Sequence, residues 1–251
     1  MNLIKEFIAF YISFLKFAIG KKQYFYFKSS YKKVAYFFTG NIISSILAVF
    51  IMVLLAYILN FFNYPKPIYS DILKHHSDCM SNYFFLSLLF GGILAPIIEE
   101  LVFRLPLKYT KWNFVIAIIA FYFLTFVSQS AMCDLTVGNL MERFTYKRSL
   151  IFLLILIFTI ILTNIKAIEK LLGSIINSHG WWFYFLLSIL FGSIHTEPLL
   201  ILKNFPWLIL QGAPQILAGL YFGYIRLSYG IKYSILTHSV WNLVALILIK
   251  L

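Results

Sequence analysis

Acidic residues are scarce in this chain: nine Asp and Glu stand among 251 residues, against 21 Lys and Arg. Charged residues make up only 12% of it, where a soluble domain carries about 25%. The two cysteines, Cys79 and Cys133, are too few for a cysteine-rich zinc or disulfide scaffold. The first residues lack a short apolar core ending in small residues, so no cleavable signal peptide is expected.

What is present is apolar. Hydrophobic residues reach 61% and the mean hydropathy is +0.86. A chain of this composition is expected to sit in a lipid bilayer, where only helices or closed barrels satisfy the backbone. The long apolar runs show no alternation of period two, which selects helices. The expected fold is an all-α, polytopic transmembrane bundle of seven to eight spans.

The net charge of +12 invites a nucleic-acid partner, but the basic residues form no binding array. Lys5, Lys16, Lys21, Lys22, Lys28, Lys32 and Lys33 all precede the first strong span and alternate with Tyr and Phe. That is the pattern of a cytoplasmic flank on anionic lipid. The lipid bilayer, not nucleic acid, is the expected partner.

In order, Leu3 to Ile19 reads as an interfacial helix or short span. Lys5, Glu6, Ala9, Ser13 and Lys16 fall on one sector, opposite Leu3, Phe7, Phe10, Phe14 and Phe17, which favours a helix lying on the surface. Residues 1–41 thus form a basic N-terminal segment, and 42–251 the membrane domain. Ile42–Phe62 is the clearest span. The loop that follows contains His75, His76, Asp78 and Cys79, whose adjacency suits a metal poorly, so it reads as an ordinary loop. A span from about Tyr83 is interrupted by Gly91, Gly92 and Pro96, and is expected to kink or split into two segments. Asn113–Ala131, Leu150–Ile165, Trp181–Ile194, Pro206–Ile225 and Ile235–Ile249 complete the set.

Lys and Arg counts in the flanks place the N-terminus in the cytoplasm, with Arg104, Lys108, Lys111, Arg226 and Lys232 on the same side. Arg143, Lys147 and Arg148 oppose that count, because they fall outside.

Within this apolar background, Glu99 and Glu100 stand side by side, with Arg104 close behind. Ionisable residues at membrane depth are costly and point to function. Glu100 and Arg104, four apart, share a helix face and can pair. Glu99 is rotated by about 100°, so it can point elsewhere and serve as a base. An unpaired, desolvated carboxylate suits general-base work near neutrality. A plain packing network at a helix end is the alternative. His195 closes Phe191-Gly192-Ser193-Ile194-His195, with Glu197 behind it. His238 and Asn242, four apart, project from one stripe of the last span. A lone intramembrane His is usually an interhelical hydrogen bonder; two of them with Asn242, Glu99 and Glu100 are better explained by one shared site.

Three motifs, Glu99-Glu100-x-x-x-Arg104, Phe191-x-x-x-His195 and His238-x-x-x-Asn242, resemble in order and internal spacing those of the CPBP intramembrane protease family. That family includes the type II CAAX prenyl endopeptidases and the bacterial Abi or bacteriocin-immunity-like proteins. Pro96-Ile97-Ile98, the stretch Gly219–Ile225 and Gly230 also fit. About 95 residues separate the first motif from His195, more than is usual in the family, and the excess matches a two-span insertion around 113–165.

The resemblance implies peptide-bond hydrolysis of a membrane-associated protein or peptide, in the cytoplasmic membrane of a bacterium. It implies that Glu99 and His195 activate a water, His238 and Asn242 stabilise the oxyanion, and Glu100 and Arg104 support Glu99. The family is named for metalloproteases, and Glu99, His195 and His238 could ligate zinc or another divalent metal; no His-Glu-x-x-His motif is present, so the metal stays open. Two other readings stay open as well: a non-proteolytic scaffold or immunity-type protein, and a proton-coupled transporter using Glu99, His195 and His238 as a relay.

Overall fold

A computed structural model describes residues 3–21, 25, 30–62, 84–127, 146–178, 180–195 and 205–250. Among these, every regular element is helical and none is a strand. The fold is all-α, as its long apolar runs require. Helices α1 (Leu3–Ala18) and α2 (Ser30–Phe61) come first. Next, α3 (Phe84–Leu89), a π-helical segment (Phe90–Leu94) and α4 (Ala95–Phe103) form one run, closed by a 3-10 turn (Leu105–Leu107). Then follow α5 (Lys111–Val127), α6 (Tyr146–Asn164), α7 (Lys166–Ser178), α8 (Gly180–Ile194), α9 (Phe205–Tyr229) and α10 (Ile231–Lys250).

Among the described residues, three stretches are long and apolar enough to cross a bilayer: Lys33–Phe61, Phe84–Leu107 and Ile231–Leu248. A fourth is added if α6 and α7, bent by 91° at their junction, count as one span. Lys111–Leu124 and Gly180–Ile194 are shorter apolar helices. The expected seven to eight spans are therefore not reached by length and composition among the described residues. The loop with His75, His76 and Cys79, and also Cys133, Arg143, His179 and Glu197, lie outside them.

The internal contacts group the chain into two units, Met1–Ile68 with Trp181–Thr237, and Tyr69–Gly180 with His238–Leu251. In the first, α2 packs along α9 and the core is aromatic. Phe14 meets Tyr221 edge-on at 5.0 Å and Phe17 meets Tyr184 edge-on at 5.0 Å, the geometry that aromatic quadrupoles favour. The buried phenols find acceptors: Tyr221 donates to the Phe37 carbonyl at 2.9 Å, Tyr224 to Ser13 Oγ at 2.9 Å, and Tyr184 to the Leu220 carbonyl.

These contacts reverse part of the expectation for α1. Glu6 and Ser13 are buried, with Glu6 accepting from the Tyr36 hydroxyl at 3.4 Å. The exposed residues are Lys5 and Lys16, as expected, together with Ile4, Ile8, Ile12, Leu15 and Ile19. Partners distant in sequence draw Glu6 and Ser13 inward, and the outer face left behind is aliphatic between its two lysines. Gly230 separates α9 from α10 at φ +106°, and its N–H closes α9 on the Arg226 carbonyl at 3.0 Å. A side chain there would be strained.

In the second unit α4 packs on α5, and α7 turns away from α6 with Lys166, Lys170, Leu171 and Ile175 exposed while Ile176 is buried. α7 has no counterpart among the expected spans, because its charges at 166, 169 and 170 break the apolar run.

Candidate active site

The interruption foreseen at Gly91 and Gly92 is a π-helical segment. Such segments are short, appear mostly as bulges within α-helices, and are frequent at functional sites. Ala95 N–H reaches back to the Phe90 carbonyl, as the five-residue step of a π-helix requires. The Gly91 carbonyl accepts a hydrogen bond from Asn242 Nδ2 on α10 at 3.0 Å. Gly92 allows α10 this close: a Cβ on it would lie 2.5 Å from Leu243 Cδ2. The sequence signal for this contact was the glycine pair, but nothing in the sequence said which side chain would take the carbonyl.

Past the π segment, Pro96 opens α4 within its first turn, where its missing N–H costs nothing. The helix then buries Glu99 and Glu100, at 8% and 0% exposure. Arg104, at 1% exposure, closes it, with Nε 3.5 Å from Glu100 Oε1. The expected i, i+4 pair is thus present. The rotation between the two carboxylates does not separate them, however. Both reach the same imidazole: His238 Nδ1 lies 3.0 Å from Glu100 Oε1, and His238 Nε2 lies 3.6 Å from Glu99 Oε2.

Glu100 Oε1 is therefore the junction of the cluster, facing Arg104 on one side and His238 on the other. With His238 Nδ1–H donating to Glu100, the ring is oriented and Nε2 is turned to Glu99, the relation by which a carboxylate fixes a histidine's tautomer. The Nε2 to Oε2 separation exceeds a hydrogen bond. Counted as ions, two carboxylates and one guanidinium become neutral when one further proton is held among Glu99, Glu100 and His238. A buried cluster is stable only when charges are matched and bonded in this way.

The second unit therefore contains five of the six expected site residues: Glu99, Glu100, Arg104, His238 and Asn242. The sixth, His195, belongs to the first unit, exposed at the end of α8. Its Nδ1 lies 2.7 Å from the Phe191 carbonyl and its ring sits edge-on to Phe191 at 4.7 Å. A carbonyl only accepts, so Nδ1 carries a hydrogen.

Among the described residues, no three His, Cys, Asp or Glu side chains are grouped as a metal ion requires. Glu99 and His238 of the second unit are two of the three donors expected for a metal, and the third, His195, belongs to the first unit.

The family model described as type II CAAX prenyl endopeptidase Rce1-like matches residues 81–244. The chain belongs to this family. The match spans all three motifs, from the π segment ahead of Glu99 to Asn242, and covers most of the chain. Membership makes the protein an integral membrane protein of a protease family, CAAX-protease-like at that level. No curated protein and no solved structure matches the chain.

Proposed function

We propose that this protein is an intramembrane endopeptidase in which Glu99 is the general base that activates water against a peptide bond of a membrane-associated protein. The observation that carries this reading is the buried facing of Glu99 Oε2 and His238 Nε2 at 3.6 Å, with Glu100 and Arg104 behind them. The gap is too narrow for a water between the two atoms, but a water seated beside the pair can contact both.

In this reading Glu99 removes a proton from the water as it attacks the scissile carbonyl, and later passes that proton to the departing amine. The cluster's further proton is placed on His238 in this reading, so the ring, held at Nδ1 by Glu100, directs Nε2–H to the developing oxyanion. Asn242 uses one N–H on the Gly91 carbonyl, which fixes its amide; the second N–H of Nδ2 is the other oxyanion donor. Arg104 pairs with Glu100 at 3.5 Å, and so acts as a positioning residue. From its motif alone, His195 is the proposed second group in the activation of water. Peptides with a prenylated cysteine ahead of the scissile bond are the substrate class that the family membership supports.

The test is purified full-length protein in proteoliposomes, supplied with a farnesylated Cys-aliphatic-aliphatic-X peptide and with its unprenylated form. Mass spectrometry is expected to find cleavage after the modified cysteine. Glu99→Ala and His195→Ala should each lower the rate by about 10²–10⁴-fold at unchanged membrane abundance. Full cleavage by Glu99→Ala would sink the base assignment, and cleavage of neither peptide would sink the substrate class.

A further inference from the structure

Helices α5 and α6 of the second unit border a cavity of about 220 Å³, away from the carboxylate cluster in sequence and in lining. Its wall is apolar and aromatic, with Ile118 and Phe121 on one side and Ile151, Phe152 and Ile155 on the other. One charged group, Arg148, is part of the lining. We infer that this groove is a phospholipid site, in which Arg148 pairs with an anionic headgroup and one acyl chain lies along the apolar wall.

The layout of the groove favours this occupant. Late α5 meets early α6: Tyr122 stacks on Phe152 at 3.9 Å and its hydroxyl meets Ser149 Oγ at 3.0 Å. The polar end therefore lies beside Arg148, near the start of α6, where a long cationic side chain can reach the headgroup level. From Arg148 to Ile155 the helix advances about 10 Å at ~1.5 Å per residue, and every lining residue on that path is apolar or aromatic. A head-to-tail gradient of this kind matches a lipid and not a soluble anion. The volume is below the ~300–1,000 Å³ of sites that enclose a drug-sized ligand, so the groove takes a segment of one chain. Exposure points the same way, since Phe121, Ile151 and Ile155 are about half open.

The sequence adds an argument from charge: in the expected orientation Arg143, Lys147 and Arg148 oppose the Lys and Arg count of the other flanks, and a ligand of opposite charge at Arg148 accounts for their place there.

The experiment is native mass spectrometry of the full chain, titrated with dioleoylphosphatidylglycerol or dioleoylphosphatidylcholine. Phosphatidylglycerol is expected to be retained preferentially. Arg148→Gln should weaken its retention roughly fivefold, the effect of one cation near a lipid surface. Ile151→Trp should displace both lipids by filling the groove; Ile151 is 58% exposed, so the new ring need not enter the core. Lys166→Gln removes an exposed charge elsewhere and should leave retention unchanged. Equal retention of the two lipids, no effect of Arg148→Gln, or an equal effect of Lys166→Gln would each overturn the site.

Discussion

The two units bury polar groups in opposite ways. In the first, phenols are satisfied one at a time by neutral acceptors: Tyr221 by the Phe37 carbonyl, Tyr224 by Ser13, Tyr184 by the Leu220 carbonyl. In the second, Glu99, Glu100, Arg104 and His238 are gathered in one buried network. Neutral pairs rigidify a core at little risk. A buried ion cluster gives weak net stability and is strongly destabilised when one member is removed. Stability alone gives little reason to build the second, which is why the chemistry is assigned there.

The comparison can be broken from its most costly point downward. Arg104→Ala leaves the Glu100 carboxylate buried without its guanidinium and should destabilise the protein by about 3–5 kcal/mol. Thermal unfolding in detergent, or the folded fraction after purification, would read this. A small loss there would mean that the cluster is better hydrated than its 0–8% exposure of Glu99, Glu100 and Arg104 indicates. Asn242→Ala leaves the Gly91 carbonyl without its partner and should cost about 1–3 kcal/mol. Hydrogen exchange should then rise in the π segment and its flanks before it rises in α5. Tyr224→Phe removes the neutral hydrogen bonds of one hydroxyl in the first unit, to Ser13 Oγ and from the Phe25 N–H, and should cost only about 0.5–1.5 kcal/mol for each, with cleavage unaffected. If Tyr224→Phe proved as damaging as Arg104→Ala, the contrast between the units would fail.

Much of this molecule could be read from its residues. Apolar runs gave the helices and the all-α class. Glycine and proline marked the break ahead of Glu99, and the spacing of four paired Glu100 with Arg104. Other features depend on partners distant in sequence. The 100° rotation between Glu99 and Glu100 suggested separate fates, yet both side chains are long enough to reach one imidazole on α10. Glu6 and Ser13 looked like the outer face of α1 because Tyr36 and Tyr224, which draw them inward, lie 30 and 211 residues away. α7 carries no span-like signature in the sequence because it is amphipathic and charged, and its 91° bend from α6 is a tertiary fact. The Gly91 carbonyl could not be foreseen as an acceptor, since only the π-helical step offers it to Asn242.

The central claim is that Glu99 acts in chemistry while the neutral hydrogen bonds of the first unit act in support. It is tested most directly by measuring cleavage rate per folded molecule for Glu99→Gln and Tyr224→Phe in the same proteoliposomes, with unfolding midpoints taken in parallel. Glu99→Gln keeps the shape of the side chain and should lower the rate by at least about 100-fold, while Tyr224→Phe keeps the rate and lowers the midpoint slightly. A Glu99→Gln protein that cleaves at the wild-type rate would contradict the account.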